Sequence, residues 1–169
     1  MTVVRAERVG DEAAIRTVNE AAFGVPDEAR LVDQLRAAGK VVASLVAEQG
    51  GAVVGHILFS PATIDGQGGP QPAAALAPMA VLPQLQGQGI GSRLVEAGLA
   101  ACRDAGLARA VVLGHADYYP RFGFRPAHEF GLICPFEAPP EAFMALALRP
   151  GGLDGCAGQV RFASEFDAL

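Results

Sequence analysis

The chain has 169 residues, of which 51% are hydrophobic and 18% charged, and its formal net charge at pH 7 is −5. This composition predicts a single folded domain over residues 1–169, with residues 149–169 as a C-terminal extension. Scattered Lys and Arg residues, no run of ~20 apolar residues and no leader-like N-terminus argue against nucleic-acid and membrane partners and favour a cytoplasmic protein.

The N-terminal part of the chain shows alternating helix and strand signals. Asp11 and Asp27 are suitable N-caps for stretches in which apolar residues recur at helical spacing. Gln49-Gly50-Gly51 is a hairpin turn signal between two apolar runs. The elements predicted here are a strand at Val3–Glu7, helices from Asp11 to Ala22 and from Asp27 to Gly39, and strands at Val41–Ala47 and Ala52–Phe59.

The middle of the chain is rich in glycine and proline. Residues Ser60 to Gln71 are predicted to form a loop, and an apolar strand follows at Ala73–Leu82. Pro78 lies inside that strand, and because proline has no N–H to donate, it marks a sheet edge or a bulge. A glycine-rich turn then leads into a long amphipathic helix that begins at Ile90 and ends at Gly106.

The C-terminal third completes a mixed α/β pattern. Its predicted elements are a short apolar strand at Ala110–Leu113, a helical turn at Tyr118–Phe122, a strand at Glu141–Leu148 and a short strand near Val160–Phe162. The order β-α-α-β-β-β-α-β-α-β contains no repeat. It predicts an α/β fold with a mixed central β-sheet and helices on both faces.

Three alternating glycines, Gly87, Gly89 and Gly91, join the apolar strand to the long helix. Glycines allow a ligand close to the backbone, and the helix adds unpaired N–H groups and a positive dipole end, so the turn suits a pyrophosphate. A P-loop needs Lys and then Ser or Thr after the last glycine, and a dinucleotide fingerprint needs a glycine at Ser92 or Leu94. Neither motif fits. A turn that only packs the helix against the sheet is the alternative.

Two motifs resemble the GCN5-related N-acetyltransferase (GNAT) family. Residues 86–91 fit its acyl-CoA pyrophosphate loop, Gln-x-x-Gly-x-Gly, and residues 119–124 fit its Tyr-x-x-x-Gly-Phe pattern, as in the YhbS-like subset. The resemblance spans residues 3–148. It implies a GNAT fold whose strand before the glycine turn splays from its parallel neighbour to admit pantetheine. It also implies direct acetyl transfer from acetyl-CoA, without a metal, to a small-molecule or peptide amine.

The resemblance also implies roles for individual residues. Tyr119 is the expected general acid for the departing thiolate, and Tyr118 is expected to be structural or substrate-side. His115 is the candidate general base, with Asp117 or a water molecule as alternatives. Cofactor binding is assigned to Met79, Ala80, Val81, Gln86, Gly87, Gln88, Gly89, Ile90, Gly91, Ser92, Tyr119 and Phe122.

Substrate-side residues are inferred from element order alone. Glu20, Phe23 and Glu28 flank the break between the first two helices, where GNAT folds form part of the acceptor pocket, and Phe136 is placed on the pocket's other side. Arg121 and Arg125 are assigned to surface salt bridges rather than to phosphate.

Several questions stay open at this level. The lack of an evident base leaves a non-catalytic CoA-binding sensor or interaction module as the alternative function. Exposed strand edges make a homodimer a reasonable expectation. The three cysteines and three histidines show no zinc-ligand spacing, so no metal site is predicted.

Overall fold

A computed structural model describes all 169 residues, which form nine strands and three α-helices. The strands are β1 (Thr2–Ala6), β2 (Ala43–Gln49), β3 (Ala52–Gly66), β4 (Gly69–Val81), β5 (Arg109–Leu113), β6 (Arg125–Pro126), β7 (Leu132–Ile133), β8 (Phe143–Ala147) and β9 (Gly158–Arg161). The helices are α1 (Glu12–Phe23), α2 (Asp27–Ala37) and α3 (Ile90–Asp104). None of the three helices has the length and apolar composition needed to cross a bilayer.

All nine strands belong to one mixed sheet. Its main path runs β1-β2-β3-β4-β5-β8-β6, and β9 pairs with both β3 and β7. The β4–β5 and β7–β9 pairs are parallel, and the other pairs are antiparallel. The predicted fold class, a mixed sheet in an α/β domain, is confirmed.

Helices cover both faces of this sheet. Leu45 and Val46 are neighbours on β2, so their side chains point to opposite faces. Leu45 packs in the cluster that contains the buried side of α3, whereas Val46 packs with α1 and α2. Outward along β3, the α1–α2 face is covered by the C-terminal part of the chain, where Ile64 packs against Val160 of β9. The C-terminal extension is therefore part of the same sheet and core.

The loop predicted from Ser60 to Gln71 is wrong. The structure continues β3 to Gly66 and starts β4 at Gly69, so this segment is a long hairpin. Its prolines lie where one strand edge has no partner: Pro61 falls between the stretches of β3 paired with β2 and with β9, and Pro70 and Pro72 precede the pairing of β4 with β5. Proline is compatible with a strand at such positions because no ladder hydrogen bond needs its missing N–H.

The remaining differences from the predicted elements are small. The predicted helical turn at Tyr118–Phe122 is a 3-10 segment over Tyr119–Phe122. The short strand predicted near Val160–Phe162 appears as β9. Further 3-10 segments lie at Pro83–Leu85, Ala127–Phe130, Pro140–Ala142 and Ser164–Ala168. Strand ends differ from the predicted ones by a few residues, as expected for boundaries set by pairing rather than by local sequence.

Gly98 allows α3 to pack closely on the sheet. A Cβ built at Gly98 would overlap the ring of Phe59, which is fully buried on β3 and has no room to move. Replacing glycine by alanine inside a helix is favourable by about 1 kcal/mol, but overpacking a core costs about 1–3 kcal/mol. Because the Cβ would lie far inside van der Waals contact with Phe59 Cε1, the cost falls at the upper end of this range. We therefore expect Gly98→Ala to lower the free energy of unfolding by about 2 kcal/mol in urea titration. Adding Phe59→Leu should recover part of the loss, and a Gly98→Ala variant as stable as wild type would contradict this packing.

Candidate functional site

The site begins where two parallel strands separate. β4 and β5 pair over only three residue pairs, Ala74–Leu76 with Ala110–Val112. Beyond Leu76, β4 continues to Val81 paired with β3 alone. The edge of β4 that faces β5 is therefore free over its last residues, and the two strands diverge there.

A bulge in β4 lies at the point of separation. Ile57 of β3 is opposite Met79, but Phe59, two residues further, is opposite Leu76, so β4 contains one extra residue in this interval. The extra residue falls at Ala77–Pro78. The sequence prediction that Pro78 marks an edge or a bulge is confirmed, and the bulge coincides with the end of parallel pairing.

The free edge of β4 presents backbone hydrogen-bonding groups to the opening. The N–H of Leu82 donates to the carbonyl of Val54 at 2.9 Å, so Leu82 faces β3. Because backbone groups alternate along a strand, those of Ala80 also face β3, and those of Met79 and Val81 face the opening. The Gln86 side-chain amide donates to the Val81 carbonyl at 3.0 Å, in agreement with that direction.

The glycine turn gives an exposed helix N-terminus. Gly87 and Gly89 have φ values of +78° and +84°, in the left-handed region that favours glycine, and a Cβ at either would meet no atom within 4 Å. Gly89 is the N-cap of α3, and its carbonyl accepts the backbone N–H of Arg93 at 3.2 Å. No side chain accepts the N–H groups at the start of this helix. Unpaired N–H groups and the helix dipole thus combine beside open space, as an anion site requires.

Gly91 is the point at which the glycine turn, β4 and the tyrosines meet. A Cβ at Gly91 would lie 3.2 Å from the Tyr118 hydroxyl oxygen and 3.4 Å from Met79 Cε. The neighbouring Ser92 Oγ lies 3.1 Å from the same Tyr118 hydroxyl. The glycine at this position keeps the end of the cleft open.

A cleft of about 630 Å³ occupies the opening between β4 and β5. It extends from the glycine turn and first turn of α3 on one face of the sheet to the α1–α2 break on the other. The sequence-predicted residues that line it are Phe23, Glu28, Met79, Ala80, Val81, Gln86, Gly87, Gly89, Ile90, Gly91, Ser92, His115 and Tyr119. Sequence reasoning missed Leu31, Leu113 and Leu169, whose arrival in the cleft depends on packing between distant elements.

Two predicted polar residues lie outside the cleft lining. Glu20 is exposed on α1, because it follows the buried Asn19 by about 100° of helical rotation and so turns away from the sheet. Gln88 is exposed in the glycine turn, between the two glycines that line the cleft. The assignments of Glu20 to substrate and of Gln88 to the cofactor-binding turn stay predictions, and for Gln88 the backbone N–H is the group concerned.

Two predicted aromatic residues pack against neighbouring rings. Phe122 contacts Tyr118 edge-on, with ring centroids 5.3 Å apart, beside the core that contains α3. Phe136 packs edge-on against Phe162 at 5.3 Å in the cluster on the α1–α2 face. Neither side chain lines the cleft, and the cofactor assignment of Phe122 and the substrate assignment of Phe136 stay predictions. In both cases the aromatic ring packs edge-on against another aromatic ring.

Tyr119 combines a buried ring with a hydroxyl at the cleft. Its side chain is 7% exposed and packs edge-on against Phe124 at 5.7 Å. Of the two tyrosine hydroxyls, only that of Tyr118 is hydrogen-bonded within the protein. Burial, and to a lesser degree the proximity of Tyr118, raises the pKa of Tyr119 to about 12. Tyr119 is therefore a neutral hydrogen-bond donor over the whole physiological pH range.

Tyr118 and Arg121 form the neighbouring wall. The Arg121 guanidinium lies 4.4 Å from the centre of the Tyr118 ring, a cation–π arrangement, and its Nε donates to the Tyr118 carbonyl at 2.9 Å. Arg121 lines the cleft, so its assignment to a surface salt bridge is wrong. The same assignment is correct for Arg125, which pairs with Glu129 at 2.7 Å.

His115 lies at the cleft after β5. Its carbonyl accepts the N–H groups of Tyr118 and Tyr119, at 3.1 and 3.3 Å, and so holds the tyrosine turn. Its side chain is exposed and lines the cleft, whereas Asp117 is exposed and does not line it. The role of His115 as a base stays a prediction, and Asp117 is the weaker alternative.

A buried polar network next to the cleft has no local sequence signal. Ser44 Oγ donates to Glu7 Oε1 at 2.6 Å, so it accepts from His56 Nε2 at 2.9 Å, and His56 Nδ1 accepts from Asn19 Nδ2 at 3.3 Å. Burial is the main cause that lowers the pKa of His56 to about 4, so the ring is neutral in this tautomer. The network fixes α1 on the sheet one turn before Phe23.

The fold and motifs match a known family. Residues 13–124 match the model of the acetyltransferase (GNAT) family. Two uncharacterized N-acetyltransferases of Escherichia coli strain K12 are similar: YjhQ is 42% identical over 134 residues (78% of this chain and 74% of YjhQ), and YhbS is 34% identical over 166 residues (98% of each). The chain therefore belongs to the GNAT family, and the resemblance to YhbS that the two motifs predicted is confirmed.

Two solved structures share the architecture. The crystal structure of E. coli YhbS in complex with CoA superposes with a TM-score of 0.92 at 34% identity, covering 98% of this chain and 92% of that one. A GNAT family acetyltransferase from Brucella melitensis in complex with acetyl-CoA gives a TM-score of 0.82 at 40% identity, covering 99% of each chain. The predicted GNAT fold is confirmed.

The burial of Tyr119 is measurable because the protein has two tyrosines and no tryptophan. In an alkaline titration followed by phenolate absorbance, we expect a late phase with a pKa of about 12, above the ordinary value of 10.0. Since the folded-state pKa is the higher one, the free energy of unfolding should fall as the pH rises from about 10 towards 12. Tyr119→Phe should abolish the late phase and Tyr118→Phe should retain it. Loss of the phase in Tyr118→Phe alone would contradict the assignment.

Proposed function

We propose that this protein is an acetyl-CoA-dependent N-acetyltransferase that transfers the acetyl group directly to an amine bound in the same cleft. The opening between β4 and β5 carries the proposal, because it joins an anion site at α3 to an apolar pocket at the α1–α2 break. The complexes of YhbS with CoA and of the Brucella melitensis enzyme with acetyl-CoA support it, since both proteins share this fold.

The residues at the α3 end fit the pyrophosphate of CoA. Gly87 and Gly89 leave the backbone accessible, and the first N–H groups of α3 have no internal partner. No aspartate or glutamate lines this end to repel phosphate. We assign the pyrophosphate to the N–H groups of this turn, with the Ser92 hydroxyl beside it.

The free edge of β4 fits an extended arm. Met79 presents its backbone N–H and carbonyl along the opening and Val81 its N–H, while the Val81 carbonyl accepts from Gln86. Pantetheine can pair with these free groups as an added strand does. When bound, acetyl-CoA supplies a thioester whose carbonyl carbon accepts the amine lone pair and whose sulfur leaves as a thiolate. The N–H groups of Met79 and Val81 are then the available donors to the carbonyl oxygen.

Tyr119 acts on the departing sulfur as a hydrogen-bond donor. With a pKa of about 12, its phenol is a weaker acid than a thiol, whose pKa is ~8.5, so complete proton transfer to the thiolate is uphill. Donation of the O–H to the developing negative charge still lowers the barrier. The amine proton leaves to His115 or to water, which restores a neutral amide product.

Gly91 provides a test of cofactor binding. Acetyl-CoA at 100 times its dissociation constant should stabilise the wild-type protein by about 2.7 kcal/mol in thermal or urea unfolding, whereas NAD and ATP should give smaller shifts. Gly91→Val should remove most of this stabilisation, because its side chain would enter the cleft between Tyr118 and Met79. Ala100→Val, on the exposed side of α3, is the matched control and should respond like wild type. A larger shift with NAD, or none with acetyl-CoA, would refute the proposal.

Tyr119 provides a test of catalysis. Tyr119→Phe keeps the buried ring and removes only the hydroxyl, so we expect kcat to fall by about 10²-fold, at the lower end of general-acid effects, with acetyl-CoA affinity nearly unchanged. Steady-state kinetics with an acceptor found by an amine screen, read as free thiol, would measure this. Tyr118→Phe should be milder. If acetyl-CoA binds but no amine of a broad panel is acetylated, the non-catalytic CoA-binding module becomes the better interpretation.

A further inference from the structure

One acidic side chain, that of Glu28, lines the acceptor end of the cleft. Phe23, Glu28 and Leu31, from the break between α1 and α2, line the cleft on the sheet face opposite to α3. Given the proposed function, on which this inference rests, acetyl-CoA enters from the α3 face. The acceptor therefore approaches from the α1–α2 face, where Glu28 is the acidic side chain that lines the cleft.

The Glu28 carboxylate has no hydrogen-bond donor or cationic side chain as its partner within the protein. Glu28 is half-buried, and its Oε1 is fully buried without any hydrogen-bond partner. A buried carboxylate oxygen without a donor is unfavourable, so a cation that reaches this carboxylate from the cleft would stabilise it. The position of Glu28 in the first turn of α2 favours an acidic residue, but its side chain accepts no N–H group of that turn.

The arginines near Glu28 are engaged with other carboxylates. The arginines of α1 and α2 form the ion pairs Arg16 with Asp33 at 2.9 Å, Arg30 with Asp27 at 3.9 Å, and Arg36 with Glu7 at 2.9 Å. None of them lines the cleft. The cationic side chain that does, Arg121, comes from the segment after β5 and is stacked on Tyr118. A cation bound at Glu28 must therefore come from the ligand.

We propose that Glu28 binds the ammonium group with which the acceptor enters, and that the acceptors are alkyl or arylalkyl primary amines without a carboxylate beside the amine. The bound ammonium gives up one proton to water or to His115, the neutral amine then attacks the thioester, and the second proton leaves as the amide forms. Phe23 and Leu31 supply apolar contacts for the body of such a molecule. An α-amino acid would place its carboxylate next to Glu28, where repulsion is uncompensated because no free cation lies on this side.

Matched ligand pairs test this proposal directly. Phenethylamine with phenylalanine, and tryptamine with tryptophan, differ only by the carboxylate. Binding to the CoA-saturated protein is measured by calorimetry, and turnover with acetyl-CoA by thiol release. We expect each amine to be preferred over its amino acid by about 10-fold or more in Kd and in kcat/KM. Glu28→Gln should weaken amine binding by about 10-fold and raise KM more than it lowers kcat. It should also reduce the preference for the amine over the amino acid, and acetyl-CoA binding should be unchanged.

Glu96→Gln is the matched control, since it removes the same charge from an exposed position on α3 outside the cleft, and it should keep the wild-type preference. If Glu28→Gln does not fold, Glu28→Asp, which retains the charge but withdraws it, should give an intermediate preference. A wild-type preference for amino acids, an unchanged preference in Glu28→Gln, or no amine binding at all would overturn the proposal. Amine binding that depends on Glu28 without turnover would support this site and refute the acetyltransferase activity.

Discussion

The geometry of the site depends on the bulge at Ala77–Pro78. A parallel ladder needs donors and acceptors at regular spacing along both strands, and the bulge ends that regularity directly after Leu76. β3 holds β4 in place on its other edge, so the separation from β5 leaves β4 ordered but unpaired. The opening is thus built into the sheet itself, and the elements above and below only complete its walls.

The two ends of the opening differ in electrostatic character. At the α3 end the positive character comes from backbone N–H groups and the helix dipole, together with the Arg121 guanidinium stacked on Tyr118. At the α1–α2 end the charged group is the Glu28 carboxylate. Between them lie Ala77, Met79 and the ring of Tyr119, which are apolar. A cleft with these ends and this middle favours a ligand anion on one sheet face and a ligand cation on the other.

Features with a local cause could be predicted from the sequence. The glycine turn and the N-terminus of α3 follow from residue types at fixed spacing, and the placement of Tyr119 follows from the resemblance to the GNAT pattern. The structure has all three at the cleft. The α1 and α2 helices follow from apolar periodicity and from Gly24 between them, which has φ +74°.

Features that depend on distant partners could not be predicted. The glycine and proline content of residues 60–71 indicates a loop because the sequence does not show which strand edges will lack a partner. In the folded sheet, the prolines occupy those unpaired edges. Phe136 and Phe162 pack together, although no local sequence pattern around either residue predicts this contact. Glu20 and Glu28 are equivalent in sequence terms, and only the rotation of each helix decides that one is exposed and the other faces the cleft.

The long β3–β4 hairpin also has a consequence for biosynthesis. Its outer half is completed by β9, and ion pairs such as Asp65 with Arg161 and Lys40 with Glu165 join residues 96 and 125 positions apart. Contacts of this separation slow folding. As the chain leaves the ribosome, Thr63–Gly66 emerge well before Gly158–Arg161, so β3 keeps an open edge until the C-terminal strand arrives. Productive folding in the cell therefore requires that this edge be kept from pairing with other chains during translation.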